Sequence, residues 1–375
     1  MESYSLYQQT SYDENYAYKF LQLPPDLLAY IKDNKNQELV IKSSTTNSGQ
    51  LVVCSAKKTW KMRQMNHSNS VLLMDNANVD HQNKCIKSIV PNHEVDQKNN
   101  LIGFSESTYE YELIETKGSI VIDDLPRYHG DELRDDTNNT NARKISLSEL
   151  MENSPISTEE FYKSWYELGG CDIGGQVYIL SVEYITEVLF ILITTLLSQE
   201  FNYKSDTIDM NKIRSTICNQ KGSIDNSVLK TVINKFSVHK EQGLQLDNFK
   251  IAKWFGINEL SKLTTTLVDS KEFLLQWKAS LPTFYNVSLD LHYLRGHYCS
   301  PIEGRIRFVS AEDLSPTLSV RFSQLFQLDK SWNYDDFVPF IKDFVPSGVK
   351  VDSIILKFGK KKRVGKNKFV VTPRQ

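Results

Sequence analysis

No stretch of this chain is apolar for the length of a bilayer. The longest apolar run, 188–197, has ten residues and includes two threonines, where a spanning helix needs about twenty. It reads as a buried helix. Cysteine is also scarce: the five, at 54, 85, 171, 218 and 299, are odd in number and form no CxxC pair. That spacing excludes a disulfide framework and a zinc site, and fits free thiols in a reducing compartment. Seven histidines are scattered, with no HExxH and no paired spacing. The stretch from Gly359 to Lys366 fails as a phosphate loop, because five residues separate Gly359 from Gly365 and Asn367 stands where Ser or Thr is required. Gly169-Gly170 and Gly174-Gly175 lack the strand–turn–helix order of a dinucleotide site. The adjacent pairs Asp123-Asp124, Asp135-Asp136 and Asp335-Asp336 are accounted for by linker solvation or helix N-terminal charge. No nucleophile stands beside a base, so no enzyme, cofactor or metal is expected. The first residues are polar and acidic, without an apolar signal core; the expectation is a soluble intracellular protein.

One further absence is local. From Lys357 onward there is no Asp or Glu but eight Lys or Arg, so with −2 overall the remainder of the chain carries −10. A single-sign basic face on an acidic body points to local docking of phosphate. Phe337, Phe340, Ile341 and Phe344 fall at i, i+3, i+4 and i+7, one apolar helical face. Asp335 or Asp336 can cap its start, Pro339 falls in the first turn, and Pro346 and Gly348 end it. Val351, Ile354, Ile355 and Phe358 repeat the spacing in a second helix, whose opposite face carries Lys350, Ser353, Lys357 and Lys361. Gly365-Lys366-Asn367 can turn a hairpin between Arg363-Val364 and Phe369-Val370-Val371. Helix, turn, helix and basic hairpin outline a winged helix. The expected DNA contacts are Lys350, Lys357, Lys360, Lys361, Lys362, Arg363, Lys366, Lys368 and Arg374. No Asn or Gln lies on the helix face to read base edges, so these positions address phosphate without sequence preference. Lys360-Lys361-Lys362-Arg363 is equally a nuclear-localisation pattern, and the two readings are compatible.

A length of 375 residues with 40% apolar content allows roughly two to four domains. After a polar stretch over 1–19 and a short helix over 21–31, strands are expected at 38–42, 51–55, 59–64, 70–74, 101–105, 109–116 and 119–122. Turn-rich strings (Met65-Asn66-His67-Ser68-Asn69 is one) separate them, and 75–100 reads as a long loop. Seven short strands form a barrel or sandwich that closes poorly alone, and a partner's strands would remove its open edges. The span 123–144 is polar and linker-like. Beyond it the pattern is helical. Ser146 with Glu149 and Ser157 with Glu160 form capping boxes. Phe161, Trp165 and Leu168 line a helix face, and 176–180 forms a wing-like strand. A second unit begins with Leu229, Val232, Ile233 and Phe236. In it Asp247 caps a helix punctuated at Gly256, Asp269 caps another, and 304–310 alternates like a wing. The expected fold is α+β: a β-barrel-like domain over 1–125 completed by partner subunits, a linker over 126–144, and tandem winged helices over 145–225, 226–310 and 311–375.

Several strings resemble one family. Cys54-Ser55-Ala56-Lys57-Lys58-Thr59-Trp60, then His67-Ser68-Asn69-Ser70-Val71-Leu72-Leu73-Met74, are similar to the N-terminal part of the sister chromatid cohesion protein Dcc family in its budding-yeast-like form. So are Glu149-Leu150-Met151-Glu152-Asn153-Ser154-Pro155, Lys253-Trp254-Phe255-Gly256-Ile257, Trp332, Val351-Asp352-Ser353-Ile354 and Lys361-Lys362-Arg363-Val364-Gly365-Lys366. The matches run in order from about 20 to 374, and 75–100 and 123–144 depart from the pattern. The resemblance implies a non-catalytic, nuclear subunit of the Ctf-type alternative replication factor C clamp loader, acting in DNA replication and cohesion. It implies a barrel shared with the small and large Ctf subunits, and winged helices that touch single- and double-stranded DNA and the catalytic subunit of DNA polymerase epsilon. The sliding clamp would be reached only indirectly, and no membrane is involved. A free-standing winged-helix transcriptional regulator is the competing reading.

Overall fold

The computed structural model describes residues 5–8, 17–33, 38–43, 50–76, 100–123, 125–130, 144–220, 224–240, 243–264, 266–345, 348–366 and 368–374. The chain divides into two compact units: 1–126 with 141–168 and 174–177, and 127–140 with 169–173 and 178–375. The class is mixed α+β.

The first unit is built on a six-stranded, half-barrel sheet. Its strands are β1 (Ser5–Gln8), β2 (Leu21–Gln22), β3 (Val40–Ser43), β4 (Leu51–Cys54), β5 (Thr59–Asn76) and β6 (Asn100–Thr116), in the order β1-β6-β5-β4-β3 with β2 also on β6. β1 and β2 run parallel to β6 and the other pairs are antiparallel. Helix α1 (Pro25–Asp33) buries Leu27 against Val53, Trp60 and Leu113. β5 and β6 differ from expectation, each being one long strand instead of two short ones. The turn-like string at 65–69 does not turn. The register steps from Asn66↔Tyr109 to Val71↔Ser107, and Ser107 Oγ donates to Tyr109 O at 2.6 Å, so the polar residues are absorbed as a bulge. The expected strand at 119–122 is not one: Val121 N–H donates to Ser154 Oγ, away from any ladder.

Helices α2 (Leu147–Asn153) and α3 (Thr158–Leu168) belong to this unit too. Ser146 caps α2 by accepting from Glu149 N–H, as the sequence pattern requires. At α3 the Glu160 carboxylate accepts from both Ser157 Oγ, at 2.7 Å, and Thr59 Oγ1, at 2.6 Å. Thr59 Oγ1 in turn accepts from Ser157 N–H at 2.9 Å, so a fully buried strand residue joins the cap. Lys42 Nζ donates to Met151 O and Ile156 O at 2.7 and 2.9 Å.

The next sheet is three-stranded, of β7 (Arg127–Tyr128), β8 (Gly170–Ile173) and β9 (Gln176–Leu180), ordered β7-β9-β8, and all of it but Gln176 and Val177 falls in the second unit. Then come α4 (Val182–Ser198), α5 (Met210–Gln220), α6 (Asn226–Lys235) and the hairpin β10 (Ser237–Lys240) with β11 (Gly243–Leu246). The apolar run 188–197 lies inside α4, where Val188, Leu189, Leu192, Ile193 and Leu196 are buried. Next are α7 (Asn248–Lys262), β12 (Val268–Asp269), α8 (Ser270–Ser280), a 3₁₀ turn Leu291–Leu294, and β13 (Tyr298–Ile302) paired with β14 (Arg305–Phe308). Asp247 and Asp269 cap α7 and α8 through the N–H groups of the second and third residues beyond each. Gly256 does not end α7. It sits mid-helix, where a Cβ would lie 2.6 Å from the Trp277 ring, so the glycine permits the α7–α8 approach. The last segment holds α9 (Leu318–Leu328), β15 (Trp332–Asn333), α10 (Tyr334–Phe337), α11 (Val351–Phe358), β16 (Gly359–Gly365) and β17 (Lys368–Pro373). Its sheet order is β15-β17-β16, matching β12-β14-β13 before it. In both, a short strand precedes the helices and the second hairpin strand takes the centre. No helix among the described residues is long and apolar enough to cross a membrane.

Burial of His297, reinforced by Lys253, pushes its imidazole down to about 4. The unfolded chain then binds a proton near pH 6.5 that the folded chain refuses until about pH 4. Stability should be complete above pH 6.5 and fall by up to about 3 kcal/mol as the pH drops through that window. Urea unfolding of wild type and His297→Gln between pH 7 and 4 should show this acid loss in the wild type and a flatter curve in the variant.

Candidate nucleic-acid interface

The basic residues sit on the last three-stranded sheet and on α11, and their placement follows from the core beneath. Phe322 and Leu325 of α9, Trp332, Phe337, Phe340, Ile341, Ile355 and Val371 are buried together. Trp332 Nε1 donates to Leu325 O at 2.9 Å, satisfying an indole N–H that burial would otherwise strand. Arg321 is also buried. Its Nε donates to Phe340 O at 2.5 Å, Nη1 to Leu314 O and Ser315 O at 2.9 and 3.1 Å, and Nη2 to Ala311 O at 3.0 Å, while its guanidinium covers the Phe344 ring. A cation enclosed by carbonyls ties α9 to the loops on both sides of it.

The apolar face expected around Phe340 is present, but not as one helix. α10 ends at Phe337 and is followed by 3₁₀ turns at Val338–Phe340 and Lys342–Phe344, with Pro339 in the first of them. Asn333, not Asp335 or Asp336, is the cap, accepting from Asp335 N–H. The two aspartates face Arg295, Asp336 at 3.0 Å and Asp335 at 3.6 Å. Pro346 lies outside the described residues. Gly348 adopts φ +81, a left-handed conformation suited to glycine.

α11 is eight residues long, about 12 Å. Ile355 is its buried anchor, with Val351, Ile354 and Phe358 half-buried around it. Lys350 stands at its N-cap and Lys357 in its last turn, both exposed. The helix stops at Phe358, so Lys361 belongs to β16 and not to the helix face where its spacing would put it. In β16, Lys360 lies opposite Thr372 and Lys362 opposite Val370, which sets these two exposed lysines on one face. Lys361 and Arg363 take the other face, opposite Val371 and Phe369. Lys361 is committed: Nζ lies 2.9 and 3.1 Å from the Asp352 oxygens, 3.9 Å from the Tyr334 ring centroid and 4.8 Å from that of Phe369. Tyr334 OH donates to Asp352 Oδ1 at 2.7 Å. The Lys361 ammonium, then the Tyr334 hydroxyl, hold the Asp352 carboxyl below its usual range, while burial and then Asp352 push Tyr334 up to about 12. Arg363 Nε donates to Gly365 O, and Arg374 Nη2 reaches Leu356 O at the end of α11. Lys366 and Lys368, at the hairpin turn, are exposed.

The geometry therefore gathers Lys357, Lys360, Lys362, Arg363, Lys366, Lys368 and Arg374 onto the hairpin and the adjoining helix end, with Lys350 about 10 Å away along α11. Eight positive side chains remain exposed, and one is neutralised internally. Sequence spacing alone missed Asp352 as the counter-charge of Lys361 and Arg321 as the buried cation. Asp352 sits nine residues before Lys361, and only the helix-to-strand change at Gly359 brings them together. Among the described residues no group of three or more His, Cys, Asp or Glu is placed to hold a metal ion.

The family profile described as sister chromatid cohesion protein Dcc1 matches residues 18–341. The chain is 30% identical to the sister chromatid cohesion protein DCC1 of Saccharomyces cerevisiae over 99% of its own length and 100% of the relative's. It is 23% identical to the probable sister chromatid cohesion protein DCC1 of Dictyostelium discoideum, over 92% and 90% of the two chains. With the human DCC1 it shares 24% identity over 90% and 84%. A profile match across most of the chain, with a relative aligned end to end, makes this protein a member of the Dcc1 family of sister chromatid cohesion proteins.

Proposed function

We propose that this chain is a non-catalytic, nuclear subunit of a Ctf-type alternative replication factor C clamp loader, bringing the loader to DNA during replication and cohesion. Membership of the Dcc1 family carries the reading. ATP hydrolysis would be done by other subunits. The sheet of the first unit, over about 1–125, is then a barrel completed by strands from the small and large Ctf subunits. What supports this is β3, an edge strand that leaves Val40 and Ile41 47% and 63% exposed. An apolar open edge invites strand addition. The linker expected over 126–144 contains β7, which pairs with β9 and buries Tyr128. We read 145–225, 226–310 and 311–375 as winged helices, with the last meeting DNA phosphates and the array meeting the catalytic subunit of DNA polymerase epsilon. The orders β12-β14-β13 and β15-β17-β16 support the second and third, while the first draws its third strand, β7, from before 145.

Co-expression with the two Ctf subunits tests the first half. Wild type should co-purify with both, and Val40→Asp with Ile41→Asp should lose them while keeping its affinity for DNA. Retention of both partners by that variant argues against strand addition at β3.

Phosphate contact without base readout makes binding salt-dependent and indifferent to sequence. Replacing Lys360, Lys362, Arg363 and Lys366 by alanine should weaken binding by a similar factor on unrelated duplexes. For every phosphate no longer neutralised, the slope of log K against log salt should shrink by about 0.9. Affinity measured at two salt concentrations checks this, and unchanged affinity would leave the basic run as a localisation signal only.

Asp352 holds one lysine out of that set. Asp352→Ala should free Lys361 and remove a negative charge, so duplex affinity should rise several-fold at low salt and the rise should shrink at high salt. Equal affinity at low salt would mean that Lys361 does not reach the nucleic acid even when released.

A further inference from the structure

Helices α4 and α7 of the second unit border a groove of about 680 Å³. Its floor is aromatic and aliphatic: Phe255 is buried beneath it, Ile191 is half-buried, and Phe190 is left 42% exposed at one side. The walls are held in place by one hydroxyl. Thr186 Oγ1 donates to Val182 O at 2.6 Å and accepts from Trp254 Nε1 at 3.0 Å and Asn258 Nδ2 at 2.9 Å. With its donor and both acceptor sites used, Thr186 locks α4 to α7 and the groove exists before any ligand arrives.

The rim is acidic. Glu183 and Glu187 project one helical turn apart on α4, both exposed, and neither forms an ion pair among the described residues. Like charges at this spacing repel by a few tenths of a kcal/mol in an isolated helix, so a cationic ligand would relieve a cost already present. On the facing wall Glu259 pairs with Lys262, whose side chain is 68% exposed and readily displaced. Three carboxylates against one ammonium leave a net negative mouth over an apolar floor.

We infer that this groove is a docking site for a basic peptide segment of a protein partner. The segment carries Lys or Arg about one helical turn apart and one large apolar side chain. The apolar residue fills the space between Phe190 and Ile191, and the cations lie along Glu183 and Glu187. Charge complementarity selects this occupant: nucleic acid and acidic peptides are repelled by the same carboxylates. Unlike the basic hairpin, which addresses phosphate, this surface addresses cations, and it stands whether or not the hairpin binds DNA.

Selection of random twelve-residue peptides displayed on phage against the full chain tests it. Recovered peptides should carry at least two Lys or Arg flanking Phe, Leu or Ile. A synthetic copy of one should bind wild type and lose at least about tenfold on Glu183→Gln with Glu187→Gln, and about as much on Phe190→Ala. All three positions are exposed, so the variants should melt with the wild type, and salt should weaken the peptide. Acidic or neutral peptides, or a recovered peptide whose affinity neither variant changes, would overturn the inference. Self-association of the full chain abolished by Phe190→Ala would overturn it in favour of a second copy as the occupant.

Discussion

Burying an indole is costly unless its N–H finds an acceptor, and the second unit is arranged around meeting that demand for two fully buried tryptophans. Trp277 Nε1 donates to Ala252 O of α7, and Trp332 Nε1 to Leu325 O of α9, each at 2.9 Å. Either bond pins a following element onto the helix before it. At Trp332 the dependence can be followed to the surface. The indole packs edge-on against Phe337 and Phe340, its backbone pairs with Val371 of β17, and β17 pairs along β16, which carries Lys360 and Lys362. The charged surface is thus set by an uncharged bond in the core. In the first unit Trp60 is equally buried, yet its Nε1 has no partner among the described residues.

Much of this was legible in the sequence where side-chain period and capping chemistry act locally. The helix starts at Ser146, Asp247 and Asp269, the buried run in α4 and the basic hairpin all follow from residues within a few positions of one another. Legibility failed where a distant backbone decided the outcome. The Asn- and Ser-rich string at 65–69 has turn composition, but pairing of β5 with β6 on either side of it costs less as a bulge than as a chain reversal. Gly256 has the look of a helix stop because its role, making room for Trp277, depends on a residue 21 positions later. In the candidate site, the run of lysines was visible but its division was not. Which lysines face solvent and which one meets Asp352 depends on the helix ending at Phe358 and a period-two strand beginning at Gly359.

Charge is handled in two opposite ways in the last segment. Arg321 is enclosed and satisfied by four carbonyl oxygens, so it contributes rigidity and little external field. Lys360 and Lys362 of β16 and the lysines of the hairpin turn are solvated, with long side chains that a ligand must immobilise. A surface of this kind gains association rate and salt sensitivity more readily than geometric selectivity. The acidic groove between α4 and α7 lies in the same compact unit with the opposite sign and a locked floor, which favours selectivity over reach.

The strand order has a kinetic side. In both β12-β14-β13 and β15-β17-β16 the central strand is the last of the three to be made. On an emerging chain the two outer strands appear first and cannot pair with each other, because the place between them is reserved. Each sheet is complete only when its final strand, already able to pair with the hairpin strand before it, also bonds the earlier strand. Until then Trp332 and its aromatic neighbours lack their cover, and the nascent segment exposes a sticky surface to chaperones and to other chains. A topology that makes a stable platform for a basic hairpin is also one whose assembly waits on its final strand.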